Sequence, residues 1–165
     1  MGEALPADAT SDAHTLYISQ FIPSTLRWPE VGNLLLTQET GLSTQTAEGG
    51  GARAVLEVNL TLSELDTEAA AALDLKLRAP AWAAAGSLSV LRDGQAVGST
   101  KTVSVGAASF LDVPAPGGGW QAGDVIAASF SMVPRLKPIN DKRPAYKQVA
   151  AIMMGPYVMG ESTAR

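Results

Sequence analysis

Apolar and polar residues alternate with a period of two over much of this chain. Between Arg53 and Leu62, the residues Leu56, Val58, Leu60 and Leu62 fall on one face and Glu57, Asn59 and Thr61 on the other. That is the pattern of a strand with one face buried. Leu73, Leu75 and Leu77 alternate with Asp74, Lys76 and Arg78, and Ser87–Val90 repeats the pattern briefly. Ile126, Ala128, Phe130 and Met132 alternate with small or polar neighbours. Further strands are expected at Leu16–Ile22, Leu34–Thr40, Thr102–Val105, Ser109–Val113 and Gln148–Met154. Gly49-Gly50-Gly51, Asp93-Gly94, Gly117-Gly118-Gly119 and Gly123-Asp124 punctuate these runs. Asp93-Gly94 suits a tight hairpin, because both residues tolerate positive φ. The pattern predicts an all-β fold, an antiparallel β-sandwich of jelly-roll type with about eight or nine strands. Only Glu64–Ala72 favours helix, and nine residues alone sustain little of one. It is read as a connection with a helical turn.

Strand-like runs continue on both sides of each glycine triplet, so the triplets mark loop tips and not linkers. The expected layout is a flexible lead-in over 1–14, one sandwich over 15–160 and a tail over 161–165. A chain of 165 residues suits one domain and needs no disulfide or metal to fold.

Composition then narrows the chemistry. There is no cysteine and one histidine, His14. Disulfides, thiolate metal sites and a cysteine nucleophile are excluded, and a two-histidine metal site with them. The net charge of −4 argues against nucleic acid, which requires a basic face. No run approaches the roughly 18 apolar residues of a membrane span. Met1–Asp8 lacks both the basic and the apolar region of a signal peptide.

Few residues stand out as a site. Gly117-Gly118-Gly119-Trp120 lacks the Lys-Ser/Thr of a phosphate loop. The carboxylates Glu30, Glu39, Glu48, Glu57, Glu64, Asp66, Asp74, Asp112 and Asp124 single out no acid–base pair, and most are read as solvated. No catalytic, cofactor-binding or metal-ligating residue is assigned. Trp120, at a glycine-rich tip, and Trp28 are candidate platforms for a sugar ring, whereas Trp82 is read as a core plug. Arg135, Lys137, Lys142, Arg143 and Lys147 place five of the chain's twelve basic residues within thirteen positions. With Tyr146 and the prolines among them, Arg135, Lys137, Lys142 and Arg143 form a candidate inter-domain contact. Asn59-Leu60-Thr61 is an N-glycosylation sequon on the outward face of a strand.

Taken in order, four segments go beyond generic patterning. They are Leu16–Trp28, then Leu75-Lys76-Leu77-Arg78-Ala79-Pro80-Ala81-Trp82, then Trp120–Asp124 with Met132–Leu136, and finally Asp141–Tyr146 leading to Ala150–Val158. Their order and spacing resemble the β-sandwich region of glycoside hydrolase family 127, the β-L-arabinofuranosidase-like proteins, most closely the plant branch. The resemblance covers roughly residues 15–160. It implies a parent enzyme whose (α/α)6 barrel carries a cysteine nucleophile beside zinc, acting on secreted or cell-wall glycans. None of those motifs occurs here, so zinc is expected only in that barrel and no cofactor in this chain. The implied role is an accessory, non-catalytic sandwich whose partner is the catalytic barrel. The competing reading is an independent carbohydrate-binding module for arabinosylated or cell-wall glycans.

Overall fold

The computed structural model describes residues 14–46, 50–66, 68, 71–98, 100–103, 109–140, 143 and 149–160. These hold thirteen strands: β1 His14–Ile18, β2 Ser24–Trp28, β3 Leu34–Thr46, β4 Ala52–Glu64, β5 Leu73–Ala79, β6 Ala85–Arg92, β7 Gln95–Ala96, β8 Lys101–Val103, β9 Ser109–Val113, β10 Val125–Met132, β11 Pro134–Pro138, β12 Ala150–Met154 and β13 Tyr157–Met159. The chain is an all-β sandwich with more strands than the period-two pattern announces.

The larger sheet runs β2-β3-β4-β10-β6-β7, with β8 also paired to β6. The smaller one is β1-β5-β9. Their inward faces share a single core. From the small sheet come Leu73, Leu75, Leu77, Ala79 and Val113, and from the large one Leu34, Leu36, Leu56, Val58, Leu60, Leu62, Leu88, Val90, Ile126 and Phe130. Each fully buried Leu, Ile or Phe contributes on the order of 1.5–3 kcal/mol of transfer free energy. The alternation along β4, β5 and β10 is therefore what holds the two layers together.

One pairing departs from the expected antiparallel order. β1 lies parallel to β5, with Leu16 opposite Leu75 and Ile18 opposite Leu77. Parallel neighbours need a long crossover, and here β2, β3 and β4 supply it by passing through the opposite sheet. The Asp93-Gly94 hairpin forms as expected, with φ of 51° and 74° and Arg92 paired to Gln95. The helix-favouring stretch after Glu64 falls in the β4–β5 connection, where residues 67, 69 and 70 lie outside the described residues.

A third sheet, β11-β12-β13, follows the sandwich. It is fastened at the β12–β13 turn. Gly155, at φ 56°, lies so close to Met132 that an added Cβ would collide with Sδ and stand 2.8 Å from Cγ. Arg135 donates from Nη2 to the Gly155 carbonyl at 3.2 Å.

Candidate functional site

A cavity of about 530 Å³ opens at one edge of the sandwich. Five stretches distant in sequence build it. Ser19, Gln20, Phe21 and Ile22 come from the β1–β2 loop, and Thr40 and Leu56 from β3 and β4. Arg78, Pro80, Ala81 and Trp82 come from the end of β5 and its connection to β6, and Pro156 and Tyr157 from the β12–β13 turn and the first residue of β13.

Its walls are fixed from behind. Phe130, fully buried on β10, stacks on Phe21 with centroids 5.2 Å apart and meets Trp82 edge-on at 6.4 Å. Gln38 points inward along the same face of β3 as Leu34 and Leu36 and is only 6% exposed. Its Nε2 donates to the carbonyl oxygens of Gln20, at 3.0 Å, and Ile22, at 2.6 Å. One buried amide thus ties the β1–β2 loop at two carbonyls, and the strand expected over Leu16–Ile22 ends at Ile18. Arg78 projects from β5 with no hydrogen-bond or carboxylate partner among the described residues.

The residues singled out from sequence do not assemble here. Trp120 is 1% exposed and belongs to the core, donating from Nε1 to the Leu73 carbonyl at 3.0 Å. Gly118 and Gly119, at φ 89° and 82°, fold the chain back so that the indole turns inward. A ring with no exposed face is no sugar platform, so Trp120 is corrected to a core residue. Trp28 is half-buried against the core and meets His14 edge-on at 5.8 Å. Trp82, read as a plug, is partly buried against the core and also forms a wall of the cavity.

Of the basic run, Arg135 is committed to the Gly155 carbonyl, and its Nε is buried with no partner among the described residues. Lys137 is exposed at the third sheet. Arg143 is exposed and has an interaction partner of its own. Lys142, Tyr146 and Lys147 lie outside the described residues. Asn59 is exposed in mid-strand, paired between β3 and β10 rather than set in a loop.

One carboxylate departs from the solvated reading. Asp124 is fully buried and ion-paired to Arg92. Burial alone would raise its carboxyl, yet the Arg92 hydrogen bonds and the Gln121 N–H together hold it below the usual carboxylate range. On the outer face of β5, Lys76 binds Asp112 at 2.5 Å, and that hydrogen bond lowers the Asp112 carboxyl. Among the described residues no three Asp, Glu or His side chains converge as metal ligation requires.

The molecule is therefore an all-β sandwich with a lateral cavity. The family follows from its sequence. Residues 15–132 match the family model for the middle domain of GH127 β-L-arabinofuranosidase, and the chain belongs to that family. The match ends with β10, so β11–β13 lies beyond it.

No curated protein matches the chain. Among solved structures it is similar to Ara127N-Se, a GH127 β-L-arabinofuranosidase from Geobacillus stearothermophilus T6, at 17% identity and a TM-score of 0.48, covering 90% of this chain and 20% of that one. It is also similar to a glycoside hydrolase at 20% identity and a TM-score of 0.41, covering 76% of this chain and 20% of the other. The chain thus spans about a fifth of these proteins.

Proposed function

We propose that this domain is the non-catalytic accessory sandwich of a β-L-arabinofuranosidase-like hydrolase and packs against that enzyme's catalytic domain through β11-β12-β13. The observation that carries this reading is an apolar row without a covering layer among the described residues. Leu136, Ile152 and Met159 stand opposite one another in register and are 71%, 52% and 51% exposed. In-register positions share a face, and contiguous exposed apolar surface of this kind marks an interaction site. The prolines bounding β11 stiffen the strand, which lowers the entropy that docking must spend.

The absence of cysteine supports the non-catalytic part of the reading, since no residue here can act as a thiolate nucleophile. Of the basic run, Arg135 is tied into its own turn and Lys137 is exposed on this sheet. The test is sedimentation of the chain mixed with a GH127 catalytic domain expressed separately. A complex is expected with the wild type, and none with Leu136→Lys/Ile152→Lys. A complex that persists in the double variant would show that this face is not the contact.

A further inference from the structure

The cavity beside Trp82 borders the packing sheet at Tyr157 but contains none of Leu136, Ile152 and Met159, and its chemistry is specific. We propose that it is a binding site for a saccharide unit bearing a carboxylate, with the sugar ring against the aromatic wall and the carboxylate on Arg78.

Its size falls in the range of ligand sites, about 300–1,000 Å³. Phe21, Trp82 and Tyr157, with Pro80 and Pro156, supply the flat apolar surfaces on which the C–H faces of a sugar pack. Ser19, Gln20 and Thr40 add hydroxyl and amide groups at the same lining. A purely apolar occupant would strip those groups of water without replacing their hydrogen bonds; a polyhydroxylated ring replaces them.

The cavity is held open. Phe21 and Trp82 both rest on buried Phe130, Gln38 fixes the loop carrying Ser19–Ile22, and the close seat of Gly155 on Met132 fixes the turn carrying Tyr157. A rigid, preformed site binds without the ordering cost of a collapsing one.

Arg78 decides the ligand's charge. Three other basic residues are neutralised by carboxylates: Arg27 by Glu64, Lys76 by Asp112 and Arg92 by Asp124. Arg78 has no such partner among the described residues, although it stands on the same strand face as Lys76. Its planar fork matches a carboxylate bidentately. A uronic acid unit combines that carboxylate with the stacking ring. The choice of a saccharide over other acids rests on the accessory-domain reading above; the geometry of the site does not.

Isothermal titration of the full chain with digalacturonic acid, and with the neutral disaccharide arabinobiose, tests this. Saturable binding of the acid is expected, at least about tenfold tighter than that of the neutral sugar. Arg78→Gln should remove that difference, and Arg78→Lys should restore part of it. Tyr157→Ala should weaken both sugars. Arg78 and Tyr157 are exposed and outside the core, so the variants fold, and circular dichroism checks this. No binding of either sugar, or binding indifferent to Arg78→Gln and Tyr157→Ala, overturns the proposal. Equal affinity for both sugars overturns its carboxylate half. Leu136→Lys/Ile152→Lys should leave the titration unchanged, so failure of the saccharide site and failure of the packing reading are separable.

Discussion

Arg92 holds both carboxylate oxygens of Asp124, with Nε 2.7 Å from Oδ1 and Nη2 2.8 Å from Oδ2. The same Nη2 also reaches the Gly119 carbonyl at 2.9 Å. The Gln121 N–H adds a further bond to Oδ2 at 2.9 Å. One buried carboxylate therefore locks the turn before β10 to the end of β6, and that turn places Trp120 in the core.

Asp124→Asn should cost about 1–3 kcal/mol, because it removes the buried partner of a partly exposed Arg92 and leaves that guanidinium poorly matched. The pH dependence follows from the direction of the shift. The folded Asp124 carboxyl titrates below the ordinary value it has in the unfolded chain. Its contribution is therefore complete above that value and is lost as pH falls through the lower, folded one. Urea unfolding between about pH 5 and pH 3 should show a decline in the wild type that is shallower in Asp124→Asn. Equal slopes would mean that the pair contributes nothing to acid sensitivity.

Trp120→Phe should destabilise the domain by about 2–3 kcal/mol, since the Leu73 carbonyl loses its donor and the smaller ring leaves space. The variant should bind saccharide as the wild type does. Loss of binding without loss of stability would restore Trp120 as a platform.

These two residues show where the sequence was readable and where it was not. β5 and β10 are legible because one face of each is buried along its whole length, and β4 because the same holds from Leu56 to Leu62, so burial and periodicity coincide. β2 escapes detection: four of its five residues are exposed, as befits an edge strand, and no alternation remains. β11 is hidden by the prolines at its ends, and β7 and β13 are two and three residues long. Trp120 misleads because its glycine-rich surroundings read as a tip, while its partner, Leu73, lies 47 residues away. Asp124 misleads in the same way, with Arg92 lying 32 residues distant. The cavity had no local signature. Phe21, Trp82 and Tyr157 meet only because three separate connections converge on Phe130 and Met132.

Gln38→Leu should free the β1–β2 loop. Two carbonyl oxygens lose their donor, at a cost of about 1–3 kcal/mol. The amides of Ser19–Ile22 should exchange faster with deuterium, while those of β4 and β10 keep their protection. Gln38→Glu should be worse at neutral pH, because a carboxylate would face two carbonyl oxygens. That carboxyl would titrate above its unfolded value, so the variant should regain stability on acidification, opposite in sign to Asp124. A Gln38→Glu variant whose stability does not rise between about pH 7 and pH 5 would contradict the clamp.

Gly155→Ala tests whether the third sheet is seated on the sandwich as described. The residue sits at φ 56°, where a side chain costs about 1–2 kcal/mol by itself. The new methyl would also meet Met132 at Sδ and Cγ, and Met132 is 2% exposed with little room to retreat. The combined loss should reach about 3 kcal/mol, with overpacking as the larger share. If the collision is the cause, Met132→Ala should relieve it. The double variant should then be more stable than the sum of the two single losses by about 1 kcal/mol or more. Strict additivity would mean that Gly155 does not rest on Met132, and that the turn carrying Tyr157 is held by something other than this contact.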